Sequence, residues 1–367
     1  MKQQSKNQPK TTQPTVFFDA RYMRTDYHDG ISRYSAELGS ALAKLMPLTF
    51  LICDDAQKKW LPASATFLKI HAPTSAKEPF TALILNKHRP DVVYSPMQTI
   101  GSLGKRYKLI LTIHDLIYYR HRTPPKFLPQ IVRGGWYVYH LSYAPQRLIL
   151  KGADAITSVS NTSADDIRKA RMTKKDVTVV YNAPQKFESY PPQRAEIMKN
   201  IVYMGSFMPY KNVETLIRGM EWLPGRTLHL LSRISDERKQ ELLAFKPKDA
   251  EIIFHNGVSD DEYEQILANN ALLVTASLDE GYGIPVAEAM SMGVPAVISD
   301  MPIFREVGGE GALYFNPHSP QQFAETVLQL DNTALRDEHI KEGLQHMQQF
   351  KWDESAKVLA ATIKSLL

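Results

Sequence analysis

Two glutamates eight residues apart, Glu280 and Glu288 in "DEGYGIPVAEAM", bracket a run of glycines and a proline. The residues before and after fix their setting: "ALLVT" reads as a short buried strand, "ASLDEGYGI" as a loop and "PVAEAMSM" as a helix. Pro285 suits the first helical turn and Gly293 the stop. Glu280 then lies in the loop, Glu288 about one turn into the helix, and the backbone amides of Gly281, Tyr282, Gly283 and Ile284 lie between them. Free N–H groups at a helix start, reinforced by the helix dipole, attract phosphate. Carboxylates beside such a site suit hydroxyl groups instead. A nucleotide sugar carries hydroxyls on both sides of a diphosphate, so Glu288 would take the ribose, Glu280 the sugar and the backbone the diphosphate. On spacing alone, the competing reading is a solvated loop charge and an exposed helix charge.

Other residues of suitable type stand at the ends of apolar runs. His114 follows "LILTI" and should emerge at a strand's carboxyl end, with Asp115 either capping the next turn or orienting the imidazole. Lys211 in "MPYKN" follows "IVYMGS", where a cation can meet phosphate or simply solvent. Gly205 in that stretch and Gly30 in "HDG" either admit a ligand close to the backbone or serve ordinary turns. Asn182 reads as a hinge residue rather than a catalyst.

The elements that must position these residues form two series of short apolar runs alternating with helix-like stretches, the order of parallel sheets. The first contains "TVFFDA", "LTFLIC", "DVVYS", "LILTIHD" and "AITSVS", the last followed by "NTSADDIRKA" with Asn161 or Ser163 as the helix cap. The second contains "NIVYMGS", "TLHLLS", "AEIIFHNG", "ALLVTAS" and "PAVISD". The expected organisation is a polar disordered tail over 1–14, one Rossmann-like unit over 15–183, a Pro-rich linker over 184–199 and a second such unit over 200–345. Residues 346–367 should form a final helix packing back toward the first unit. Ligands in such α/β folds gather at the carboxyl ends of the strands.

Composition narrows the function classes. The 367 residues carry a formal net charge of +5, compatible with an anionic partner. Nucleic acid is disfavoured: there is no zinc-finger spacing, RNA-binding signature or concentrated basic tract. The single cysteine, Cys53, excludes an internal disulfide and a multi-cysteine zinc site and suits a reducing compartment. No run is long enough for a membrane span and the N-terminus has no apolar signal core, so a cytoplasmic location is expected.

Taken together, "LDEGYGIPVAEAMSMGVPAVISDMPIFREVGGEGALYFNP", "FDARYMRTDYHDGISRY", "LTIHDLIYY", "SVSNTSADDI", "VVYNAP" and "VYMGSFMPYKNVETLIRGM" resemble, in order, the segments of retaining glycosyltransferases of family 4. The resemblance spans roughly residues 15 to 345 and implies the GT-B fold, two Rossmann-like domains facing across a cleft. It assigns Glu288 to the nucleotide ribose, and Glu280 with the amides of 281–284 to the transferred sugar and diphosphate. It also assigns Lys211 to the diphosphate and His114 to the face of the donor sugar. Gly30, Gly205 and Ser206 fall in its donor-binding loops; the family often has arginine where this chain has Ser206, and Arg233 either replaces that charge or is solvated.

The resemblance implies no cofactor and no obligatory metal, and no D-x-D signature is present. It lies nearest a mannosyltransferase-type branch, which makes GDP-mannose the first donor expected, with a glycan or lipid-linked acceptor. A silent nucleotide-sugar binding protein and a sugar-nucleotide epimerase are the alternatives. Residues 118–151 interleave basic and aromatic side chains, and either rest on the inner face of an anionic membrane or form helices with an aromatic core face and a solvated basic face.

Overall fold

The computed structural model describes residues 13–26, 29–124 and 129–367. Most of the expected 1–14 tail, Tyr27 and His28 of the loop after the first strand, and 125–128 of the basic-aromatic segment lie outside the described residues.

Among the described residues, apolar runs become thirteen strands: β1 (Val16–Asp19), β2 (Leu48–Ile52), β3 (Thr66–Lys69), β4 (Val92–Ser95), β5 (Lys108–Ile113), β6 (Ala155–Ser158), β7 (Val177–Val179), β8 (Asn200–Tyr203), β9 (Thr227–Leu230), β10 (Glu251–Phe254), β11 (Ala271–Thr275), β12 (Ala296–Ser299) and β13 (Ala312–Phe315). They form two sheets, ordered β3-β2-β1-β4-β5-β6-β7 and β10-β9-β8-β11-β12-β13, with parallel pairing throughout. The central strands β1, β4, β11 and β12 are wholly buried because helices cover both faces. Strands β3, β7 and β13 were not apparent in the sequence: β3 is partly exposed, β7 spans three residues and β13 follows a glycine-rich turn, so none offers a long apolar run.

The chain order reverses between β1 and β4 in the first sheet and between β8 and β11 in the second. These are the switch points where adjacent loops diverge and open a crevice. The loop after β8 carries Lys211, and the loop after β11 carries Glu280. Helix Gly30–Ala43 follows the loop after β1, and the closing helix Trp352–Ser365 packs along it. Tyr34 of the first of these helices is fully buried, edge-on to both Trp352 and His114, with ring centres 5.8 and 5.0 Å away. The helix after β6, Asn161–Lys169, is capped by Ser160, whose hydroxyl accepts from the Ser163 amide, rather than by Asn161 or Ser163. The cap lies one residue earlier because Ser160 keeps an extended backbone.

Candidate active site

At the second switch point the two loops are stitched together before any side chain acts. The Leu278 amide donates to the Tyr210 carbonyl at 2.8 Å. Asn212, in a left-handed conformation (φ 52°), donates its side-chain amide to the carbonyls of Ala276 and Pro317. That clamp aims Lys211, whose ammonium lies 2.5 Å from Glu280 Oε1. The same oxygen accepts from Ser277 Oγ at 2.9 Å. Both charged side chains are about one-seventh exposed, so the pair is screened from bulk water yet reachable from the crevice.

Beyond Glu280 the chain turns into helix Ile284–Ser291 with Pro285 in its first turn. Gly283 has φ 97°, and a Cβ there would sit 2.7 Å from the Phe304 ring, so glycine is required twice over. The Tyr282 side chain is core, packed edge-on to Phe350, leaving only its backbone for a ligand. Glu288 is 4% exposed, and burial raises its carboxyl to about 7. Its Oε1 has no hydrogen-bond partner, although Arg33 Nη1 of the first unit stands 3.4 Å away.

The first unit meets this loop directly. His114 sits beyond the end of β5, and its Nε2 donates to the Pro96 carbonyl at 2.7 Å, leaving Nδ1 as the acceptor nitrogen. Burial holds its pKa below the usual imidazole value, so it is neutral. Asp115 Oδ1 accepts from the Ile117 amide at 2.9 Å, so it caps the next turn and is not seen to orient His114. Burial raises its carboxyl to about 6. Both residues line a cavity of about 90 Å³ with Tyr118, Tyr119 and His140. Across the cleft, a Cβ on Gly281 would lie 3.0 Å from Asp115 Oδ2 and 3.1 Å from the His114 carbonyl. Glycine at 281 therefore serves the contact between units.

Further ties close the cleft. Arg120 grips Asp279, the residue before Glu280, with two 2.6 Å bonds and holds Asp166 with a third. Ser160 and Ser163 both donate to the Gly281 carbonyl. Glu306 accepts from the Asn161 and Thr162 amides at the start of helix Asn161–Lys169. Arg33, Asp279 and Glu306 lie within the segments that carry the resemblance and Arg120 follows one, but the sequence assigns them no role, because each acts on a residue more than 140 positions away.

Family models match in two consecutive parts: "Glycosyltransferase Family 4" over residues 28–183 and "Glycosyl transferases group 1" over residues 187–346. The chain belongs to glycosyltransferase family 4. It is 27% identical to the O-antigen chain mannosyltransferase RfbU of Salmonella typhimurium, over 82% of this chain and 87% of that one. It is 25% identical to the O-antigen chain mannosyltransferase B of Escherichia coli, over 67% of each. Among solved structures, sucrose-phosphate synthase from Thermosynechococcus elongatus superimposes with a TM-score of 0.73 at 16% identity, covering 96% of this chain and 99% of that one. Anabaena HepE, in complex with UDP and glucose, gives 0.72 at 15% identity, covering 96% and 100%. These structures share the GT-B architecture, two parallel sheets with facing crevices.

The remaining residues of this glycosyltransferase singled out by sequence lie as follows. Gly30 opens helix Gly30–Ala43, and a Cβ there would only touch Ile284 at 3.4 Å, an ordinary contact. Gly205 is packed on the Tyr203 hydroxyl, which donates to the Ser206 carbonyl. Ser206 is exposed. Arg233 is exposed beside Gly257, and Arg238 reaches the loop after β8, donating to the Phe207 carbonyl at 3.0 Å. Asn182 is buried in the crossover with Oδ1 unpartnered. Among the described residues, no group of three or more His, Cys, Asp or Glu is placed to hold a metal ion, and no helix is long and apolar enough to cross a membrane.

Proposed function

We propose that the chain is a retaining hexosyltransferase that moves mannose from GDP-mannose to a hydroxyl of a glycan or lipid-linked acceptor. The observation that carries this is the Lys211–Glu280 pair at the second switch point, beside the start of helix Ile284–Ser291. Lys211 and the amides of 281–284 stabilise negative charge as the diphosphate leaves the anomeric carbon. Glu280 accepts hydroxyls of the sugar, and Glu288 those of the ribose. The acceptor hydroxyl bonds to the anomeric carbon on the face the diphosphate leaves, with no protein nucleophile assigned. Neutral His114 faces that sugar from the other unit. Mannose as the sugar is supported by the two relatives named as mannosyltransferases.

Titration calorimetry with GDP, UDP and ADP, in EDTA and in magnesium, followed by assay of GDP-mannose turnover, tests the reading. Selective GDP binding in EDTA with sugar transfer supports it. Binding of UDP alone would change the donor, and binding without turnover would leave a silent sugar-nucleotide binder.

Location at an anionic membrane is part of the same proposal. Helix Gln130–Tyr139 buries none of its residues, so it is no core helix; Ile131 is 91% and Val138 64% exposed. On the neighbouring helix Ala144–Lys151, Leu148 is exposed near exposed Arg147 and Lys151. Apolar tips flanked by cations suit the surface of a bilayer rich in acidic lipid. Flotation with vesicles containing phosphatidylglycerol should carry the protein at low salt, and Ile131→Ser should weaken this; no flotation would remove the membrane from the proposal.

A further inference from the structure

Glu288 and its surroundings are incompletely satisfied in a way that points across the cleft. Its Oε1 and the hydroxyl of Tyr263 are both buried, and neither makes a hydrogen bond of full geometry, although the two side chains lie close enough to interact. Buried polar atoms left unpaired cost stability and are uncommon in folded proteins. Tyr263 lies on helix Asp260–Ala268 of the second unit, Glu288 on helix Ile284–Ser291, and the cation beside them comes from the first unit. Arg33 extends from helix Gly30–Ala43 with its guanidinium split between two carboxylates: Nη1 is 3.4 Å from Glu288 Oε1 and Nη2 is 2.9 Å from Asp260 Oδ1. The Asp260 bond is the shorter, so Glu288 keeps the charge of Arg33 nearby without spending its lone pairs on it.

We propose that Arg33 is a positioning residue for Glu288: reaching across the cleft, it holds that carboxylate ionised and open, so that a ribose diol is gripped only when the two units are closed. The inference rests on the donor-site reading above and adds to it a contribution from the opposite unit. A carboxylate accepts from both hydroxyls of a diol, whereas the protonated acid must turn one oxygen into a donor. The hydroxyl of Tyr263 supplies a further partner for the same diol. The groups facing Glu288 are Arg33, which favours its charge, Asp260, which opposes it, and Tyr263. Glu37, one turn along from Arg33, feels the same guanidinium. Removing Arg33 leaves only the Tyr263 hydroxyl to oppose burial and Asp260, and moves the protonation of Glu288 to higher pH.

The test compares GDP, UDP and ADP with their 2′,3′-dideoxy forms by calorimetry between pH 6 and 9, on wild type, Arg33→Gln and Arg33→Lys. For the nucleotide that binds, wild type should prefer the ribose form about tenfold at pH 7.5, a gap set by hydrogen bonds to a charged group. Arg33→Gln should shrink that gap to about twofold at pH 7.5 and recover it toward pH 9; Arg33→Lys should restore the wild-type pH profile. A purely structural role for Arg33 would lower both affinities alike and leave the pH midpoint in place. A wild-type gap that Arg33→Gln leaves unchanged in size and midpoint overturns this proposal alone. Equal affinity of wild type for both forms, or no binding of any nucleotide, overturns the ribose reading and this inference together.

Discussion

The two halves repeat one strand order but fill their switch points differently. At the end of β1, Asp19 and Arg21 have fully buried side chains that satisfy each other. Arg21 also holds Glu78, and Glu78 in turn meets His71 and the Gly101 amide. The matching place in the second half holds a lone cation and carboxylate at the edge of water, with Glu288 and Tyr263 carrying unpaired polar atoms nearby. The first network pairs its charges with one another and acts as a brace, although the buried Tyr107 hydroxyl beside it has no partner. An unsaturated one stores binding capacity. The same topology thus gives a supporting half and a donor-binding half, and charge satisfaction separates them where fold cannot.

The largest effects should come from reversing these roles. Lys211→Ala should lower sugar transfer by about 10²–10³-fold, the magnitude expected when a group stabilising transition-state charge is removed, while leaving the thermal midpoint almost unchanged. Asp19→Asn should do the opposite, leaving Arg21 buried and half-paired at a cost of about 3 kcal/mol, seen in denaturant unfolding, with residual activity per folded molecule close to wild type. Loss of activity without loss of stability at Asp19, or the converse at Lys211, would break the division.

A smaller contrast concerns the glycines that face the cleft. Gly281→Ala places a methyl against Asp115 and the His114 carbonyl and should cost about tenfold in transfer through imperfect closure. Gly30→Ala meets only the end of Ile284 and should stay within about twofold. Equal losses would show that the closed arrangement does not carry catalysis.

The smallest expected effect is on stability without ligand. Burial raises the Glu288 carboxyl to about 7, so between the ordinary glutamate range and about pH 7 the folded state keeps a proton that the unfolded chain has already released. Stability linked to this group is present in acid and is lost as pH rises from the ordinary glutamate range through about 7. Glu288→Gln should therefore raise the thermal midpoint by a few degrees at pH 8 and by much less at pH 5. A site kept costly for binding behaves in this way. A midpoint that moves equally at both pH values would remove the buried charge from consideration.

Much of this division could be read along the chain. Glycine, proline and the two glutamates of 279–290 carry their helix start with them, and Lys211 follows an unmistakable strand, so local chemistry locates both. Strands β1, β2, β4, β5 and β6 announce themselves as apolar runs for the same reason, as do β8 to β12. What stayed hidden depends on closure. Arg33 sits on an ordinary amphipathic helix, and its meeting with Glu288 and Asp260 exists only once the units face each other. The exposure of Ile131 is equally invisible to periodicity, because an apolar helical face reads alike whether it is covered by core or left bare.

Calorimetric titration of GDP into wild type, Lys211→Ala and His114→Ala addresses the division most directly. Lys211→Ala should weaken GDP at least tenfold, while His114→Ala should bind it within about twofold of wild type and yet fail to transfer sugar. GDP affinity lost at His114 and kept at Lys211 would place nucleotide recognition in the first half and contradict the assignment of the two crevices.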